Sequence, residues 1–257
     1  MPIPFAPPNA LVVALVYEGL CMFEFASAAE VFGMARPELG EDWYRFETCA
    51  AEQGEVRGQY GTRLQPDGNL DRLAGAGTII VPGWKGVDEP VPLAVVDALH
   101  RAHARGARLL SICSGSFVLA ATGLLDGRRA TTHWRYAEAM RVRYPTIEVD
   151  PDVLYVDEGQ LLTSAGSAAG LDLCLHLIRR DRGPAIANHV ARRLVIPPHR
   201  DGGQAQYVER PVAQRERDLL GPAMDAMRRR LARDPPLAPL AARAARRARS
   251  FLRRIHA

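Results

Sequence analysis

The 257 residues exceed one typical domain of roughly 100 to 200 residues, so one substantial core with a smaller appendage is expected. An apolar fraction of 47% and a charged fraction of 24% suit a globular chain and argue against a disordered or fibrous one. The net charge of +4 is unevenly spread. Residues 211–257 hold 12 Arg against 4 Asp or Glu, and the first 210 hold 21 basic against 25 acidic, so polyanion contact, if any, belongs to the tail. A solvated arginine face is the competing reading of that tail.

No run of 18 apolar residues occurs, and the start, MPIPFAPPNA, lacks a basic stretch followed by an apolar one. Neither a membrane span nor a signal peptide is expected, and the expected location is cytoplasmic. Cys21, Cys49, Cys113 and Cys174 lie far apart without C-x-x-C spacing. That suits reduced thiols better than a disulfide framework or zinc site, so no metal and no cofactor are expected.

In chain order, Ala10–Tyr17 is a continuous apolar, β-branched run, as expected of a central parallel strand buried on both faces. Phe25–Met34 reads as helix, Tyr44–Ala50 as strand, and Thr78–Val81 as a second buried strand stopped by Pro82-Gly83. Val91–Arg105 reads as helix with Val95, Leu99 and Ala102 on one face, and Arg108–Ile112 as a third buried strand. Helices are expected over Ser114–Thr122 and Trp134–Arg143. A pair of short strands, Val153–Val156 and Gln160–Thr163, follows, then helices over Ser167–Arg180 and Pro184–Leu194. This alternation predicts a flavodoxin-like parallel sheet with helices on both faces, plus a small all-helical C-terminal segment. The expected division is an α/β domain over 1–205, its regular part running from residue 9 to about 200, a linker over 206–213 and a helical segment over 214–257.

Leu109–Phe117 (LLSICSGSF) places the Cys113 thiol between a buried strand and a helix, with small residues directly after it, in the manner of a nucleophile elbow. The helix N-terminus there is expected to lower the thiol pKa below the ordinary value near 8.5. Cys21, Cys49 and Cys174 read as buried structural thiols. His133, after the elbow helix, is a candidate general base and equally a candidate cap for the helix at Trp134.

The segment Ile112–Trp134, ICSGSFVLAATGLLDGRRATTHW, resembles the signature of the ThiJ/PfpI (class I glutamine amidotransferase-like) superfamily. The subgroup it resembles contains the isonitrile hydratases and the AraC-type regulators that carry the same domain. The resemblance extends through VPGW at Val81–Trp84, DPDVLYVDEGQLLTSAG at Asp150–Gly166 and PPHRDGGQAQYVERP at Pro197–Pro211, and so covers most of the first 211 residues. It implies that Glu24, in GLCMFEF, is the acidic residue that hydrogen-bonds the active thiol, with Glu30 as the competing candidate and a helix-capping acid as the plain alternative. It implies also that the N–H of Gly83 forms an oxyanion hole with the N–H of Ser114, against a simple turn role for Gly83. Homodimers are the superfamily's usual state.

Pro236–Ala257 resembles the first helix-turn-helix of an AraC-type DNA-binding domain, with Leu240, Ala241, Arg243, Ala244, Arg249, Phe251, Arg253 and Arg254 in place. Arg246-Arg247-Ala248 replaces the family's Met-Ser-Pro turn, removing a serine N-cap worth about 0.5 to 2 kcal/mol. The second helix-turn-helix unit of such domains has no counterpart in these 257 residues. Arg249, Arg253 and Arg254 remain candidate phosphate contacts, which position a protein on DNA without specifying sequence.

Two functions follow from the resemblance. One is an AraC-type transcriptional regulator, its DNA reader truncated, whose α/β domain senses a small amine, amide or other nitrogenous metabolite around Cys113. The other is a cysteine-dependent hydratase or hydrolase with Cys113 as nucleophile. A thiol that senses oxidants ranks third.

Overall fold

The computed structural model describes residues 6–40, 42–52, 54–200 and 202–204. In chain order the elements are β1 (Leu11–Val16), α1 (Met22–Ala28), β2 (Arg45–Ala50), β3 (Val56–Arg57), β4 (Arg63–Leu64), β5 (Gly68–Asn69), β6 (Thr78–Val81), α2 (Leu93–Ala104) and β7 (Arg108–Ile112). After them come α3 (Ser116–Ala121), β8 (Arg129–Ala130), α4 (Ala137–Arg143), β9 (Glu148–Val149), β10 (Tyr155–Glu158), β11 (Leu161–Ser164), α5 (Ala168–Arg182) and α6 (Pro184–Arg193).

Seven strands form one sheet in the order β10-β11-β7-β6-β1-β2-β5. The pairings among β11, β7, β6, β1, β2 and β5 are all parallel. The expected pair of short strands forms a hairpin at the sheet's edge: β10 pairs antiparallel to β11, Tyr155 opposite Ser164, through the tight turn at Gly159. An antiparallel edge costs nothing topologically, because a hairpin needs no crossover helix.

Every residue of β1, β6 and β7 is buried, as their continuous apolar runs predict. The pleat divides their side chains between two cores. Val13, Ile79, Val81 and Leu109 pack with Leu99 of α2, Phe117 of α3 and Met140 of α4. Val12, Ile80, Leu110 and Ile112 pack with Leu173, Leu177 and Val190 of α5 and α6. Helices thus cover both faces.

Local differences from the sequence reading have physical causes. The helix expected over Phe25–Met34 starts three residues earlier, at Met22, and passes into a wider π-turn at Ala29–Gly33. Both helices after the elbow strand begin with a 3-10 turn, Cys113–Gly115 and Trp134–Tyr136. The small ladders β3–β4 and β8–β9 were not expected, because two-residue strands carry no hydrophobic periodicity. The linker over 206–213, the helical segment over 214–257 and the candidate DNA contacts Arg249, Arg253 and Arg254 all lie outside the described residues.

Candidate functional site

In a parallel sheet covered on both faces, the carboxyl ends of the strands open onto a crevice where loops converge. Here a cavity of about 820 Å³ is lined by the segments that follow four of them. Cys21 to Ala26 follow β1, Trp84 to Val87 follow β6, Cys113 and Ser114 follow β7, and Ser167 follows β11. Gln59 and Tyr60 of the β3–β4 turn and His133, Arg135 and Tyr136 complete the lining.

The elbow is a strained turn. Cys113 has φ of +57°, a left-handed conformation unusual for a residue with a side chain, and it presents the thiol at the end of β7. Two glycines make the turn possible. A Cβ on Gly166 would lie 2.2 Å from the Cβ of Cys113, and one on Gly115 would lie 2.3 Å from the carbonyl oxygens of Val81 and Pro82. The carbonyl of Cys113 accepts from Ser116 Oγ at 3.0 Å and from Thr132 Oγ1 at 3.1 Å.

The structure brings Cys113, Glu24, Ser114 and His133 to one cavity and keeps Gly83 off its lining. Glu24 sits in the first turn of α1 and is 8% exposed; its Oε1 is 3.4 Å from the N–H of Ser167, itself held at φ +48°. Glu30, the competing acid, does not line the cavity. Gly83 adjoins it: its carbonyl accepts from the Tyr17 hydroxyl, and a Cβ there would lie 3.0 Å from Cys21 Sγ and 3.4 Å from Ser114 Oγ. Ser114 donates its hydroxyl to the Trp84 carbonyl at 3.2 Å.

The expected low thiol pKa is overturned. Burial pushes the Cys113 thiol up to about 12, and the neighbouring Glu24 carboxylate adds to the rise, while the backbone N–H and hydroxyl of Ser114 only partly oppose it. A short elbow turn does not offset desolvation and a like charge together.

His133 serves as a cap. Its Nδ1 accepts from the N–H of Arg135 at 3.2 Å, which leaves the proton of the neutral ring on Nε2. Burial, then the Arg135 charge, lowers its pKa, and among the described residues it makes no hydrogen bond to Cys113.

Sequence reasoning misplaced Cys21 and missed Tyr17. Cys21 is half-buried and lines the cavity, with burial and then Glu24 raising its thiol to about 11. Its place three residues before Glu24 was the available signal. Tyr17 ends the β1 run and clamps the loop after β6 through Gly83, its ring 4.5 Å from that of Trp84. Nothing local in the sequence marks that long-range contact. Cys49 and Cys174 are buried, as expected.

A doubly covered sheet, largely parallel and presenting a cysteine on a strained elbow at its carboxyl edge, defines the class of the molecule. The DJ-1/PfpI family profile matches residues 11–180, and the chain belongs to that family. It is 35% identical over 200 residues to the HTH-type transcriptional regulator CdhR of Pseudomonas aeruginosa, a match covering 76% of this chain and 59% of that protein. The chain therefore corresponds to about three fifths of that relative's length. It is 34% identical over 149 residues to the isonitrile hydratase of Pseudomonas putida, covering 56% of this chain and 62% of the hydratase. The crystal structure of an AraC family transcriptional regulator from Pseudomonas putida superposes with a TM-score of 0.64 at 22% identity, over 73% of this chain and all of that one. The fold is thus the one expected.

Proposed function

We propose that residues 1–205 form the small-molecule-sensing domain of an AraC-type transcriptional regulator. Its ligand, a small amine, amide or other nitrogenous metabolite, binds in the Cys113 cavity. The observation that carries this reading is the geometry of the cavity, which sets the Cys113 thiol among Glu24, His133 and aromatic side chains with no base hydrogen-bonded to it among the described residues. Burial and then Glu24 oppose the thiolate at Cys113, and His133 spends Nδ1 on a cap rather than on Cys113. Such a group donates or accepts a hydrogen bond to a ligand more readily than it attacks one.

The cavity suits polar nitrogenous ligands. Glu24 supplies a deep acceptor, Lys85 and Arg135 supply cationic groups, and Tyr60, Trp84 and Tyr136 supply aromatic faces. DNA contact is assigned to the arginine-rich segment through Arg249, Arg253 and Arg254, and the working unit to a homodimer.

The second reading, a cysteine-dependent hydratase resembling isonitrile hydratase, draws on the strained elbow and on the backbone N–H of Ser114, which partly opposes the rise of the thiol pKa. In it Cys113 attacks, Glu24 relays the proton, and the N–H groups of Gly83 and Ser114 stabilise the developing charge.

Thermal-shift titration against a panel of small amines, amides and isonitriles, with mass spectrometry of the recovered compounds, separates the two. The sensor reading expects saturable stabilisation by a compound recovered unchanged. Hydration of a compound over many turnovers, lost in Cys113→Ala, would overturn it.

A further inference from the structure

The chemistry above leaves the stretch beginning at Pro197 unexplained, and its described part ends at Gln204. This residue is 3% exposed, unusual for a glutamine, and its amide is fully engaged. Oε1 accepts from the N–H of Trp134 at 2.7 Å. Nε2 faces the carbonyls of Thr132 at 2.9 Å and Val153 at 3.1 Å, and Thr131 Oγ1 at 3.2 Å. The backbone N–H of Gln204 donates to the Asp152 carbonyl at 2.8 Å. The approach depends on Gly203, where a Cβ would lie 1.6 Å from the Asp152 carbonyl oxygen.

The turn that Gln204 grips is a wall of the site. Thr132 donates to the carbonyl of Cys113, His133 lines the large cavity, and the Thr131 N–H bonds to Thr163 Oγ1 at 2.8 Å. A second cavity of about 250 Å³ shares His133 and Ser167 with the first, and Gln204 is part of its lining. One short path of hydrogen bonds therefore runs from the Cys113 carbonyl through Thr132 to Gln204, where the chain passes on toward residue 205.

We propose that Gln204 is a positioning residue of the Cys113 cavity and the point at which occupancy of that cavity is transmitted to the chain that follows. An occupant that displaces His133 or Tyr136 moves the Thr131–Trp134 turn and strains the bonds to Gln204. By linkage, whatever pulls on the chain beyond Gln204 changes the affinity of the cavity. The inference rests on the sensing reading, and its test uses neither DNA nor the natural ligand, so the two fail separately.

The test is hydrogen exchange by mass spectrometry on the full chain carrying Cys21→Ser, with Cys113 free or driven to completion with N-ethylmaleimide. In that addition the sulfur bonds to one alkene carbon and a proton ends on the other. Exchange rates in peptides spanning 130–136 and 197–204 are expected to change together, by threefold or more. In Gln204→Met the response at 130–136 should persist and that at 197–204 should vanish. An unresponsive 197–204 peptide in the Gln204 protein, or an equal response in Gln204→Met, overturns the proposal. Should Gln204→Met not fold, Gln204→Glu keeps the acceptor for Trp134 and removes the amide donors. A diminished response at 197–204 is then expected, and an undiminished one overturns the proposal.

Discussion

At the residue scale, burial and the neighbouring Glu24 set the reactivity of the Cys113 thiol. Because the Glu24 charge adds to the effect of burial, Glu24→Gln should lower the thiol pKa and raise the rate of iodoacetamide labelling at pH 8 several-fold. An unchanged or slower rate would show that Glu24 does not act on the thiol. Gly166 is the second informative residue. With φ of +84° and Cys113 in contact, Gly166→Ala should destabilise the domain by at least about 2 kcal/mol and displace the elbow, read as a lowered Tm and an altered Cys113 labelling rate. Much of this site was legible in the sequence. Cys113, Glu24, Ser114 and His133 all reach the cavity, because an apolar strand ended by Cys-Ser-Gly-Ser fixes the elbow and the resemblance marks the loops around it. The thiol's charge state was not legible, since it depends on burial and on an acid 89 positions away, neither of which is local.

At the element scale, β7 is pinned to α5 by a buried ion pair. Arg108, fully buried, bonds Asp181 at 2.9 and 2.7 Å and the Thr78 hydroxyl at 3.0 Å, while the Tyr44 hydroxyl donates to Asp181 at 2.7 Å. Burial alone would raise the Asp181 carboxyl, but the hydrogen bond and charge of Arg108, with Tyr44, hold it below the ordinary value. A carboxylate with a depressed folded-state pKa contributes stability that is present above its unfolded value of 3.8 and is lost as pH falls through the lower folded value. Asp181→Ala should cost about 3 to 5 kcal/mol at neutral pH by stranding the Arg108 charge, and should flatten the acid limb of the unfolding curve. Denaturant titrations at neutral and acid pH read both effects. An acid limb as steep as the parent's would contradict the assignment. The sequence shows the buried strands plainly, since β6 and β7 coincide with the strands expected at Thr78–Val81 and Arg108–Ile112. It hides the two-residue ladders and the antiparallel sense of β10, which long-range pairing sets. The Arg108–Asp181 pair, 73 residues apart, was equally invisible.

At the scale of the whole molecule, a mildly acidic α/β domain with its cavity at the carboxyl edge of the sheet is followed by an arginine-rich segment, to which the proposed function gives contact with DNA. In the proposed regulator a homodimer, bringing two copies of that segment to a two-fold site, is the expected arrangement. Sedimentation equilibrium should return twice the 28.2 kDa chain mass. A monomer at micromolar concentration would remove that part of the account. Fluorescence anisotropy of the full chain with the DNA upstream of its own gene and with a scrambled duplex, titrated with salt, decides whether the protein reads sequence. Preference for the upstream duplex that survives physiological salt is expected, and replacing Arg249, Arg253 and Arg254 by alanine should lower the affinity for both duplexes alike. Equal, salt-labile binding to both duplexes, or no binding, would contradict the regulator reading.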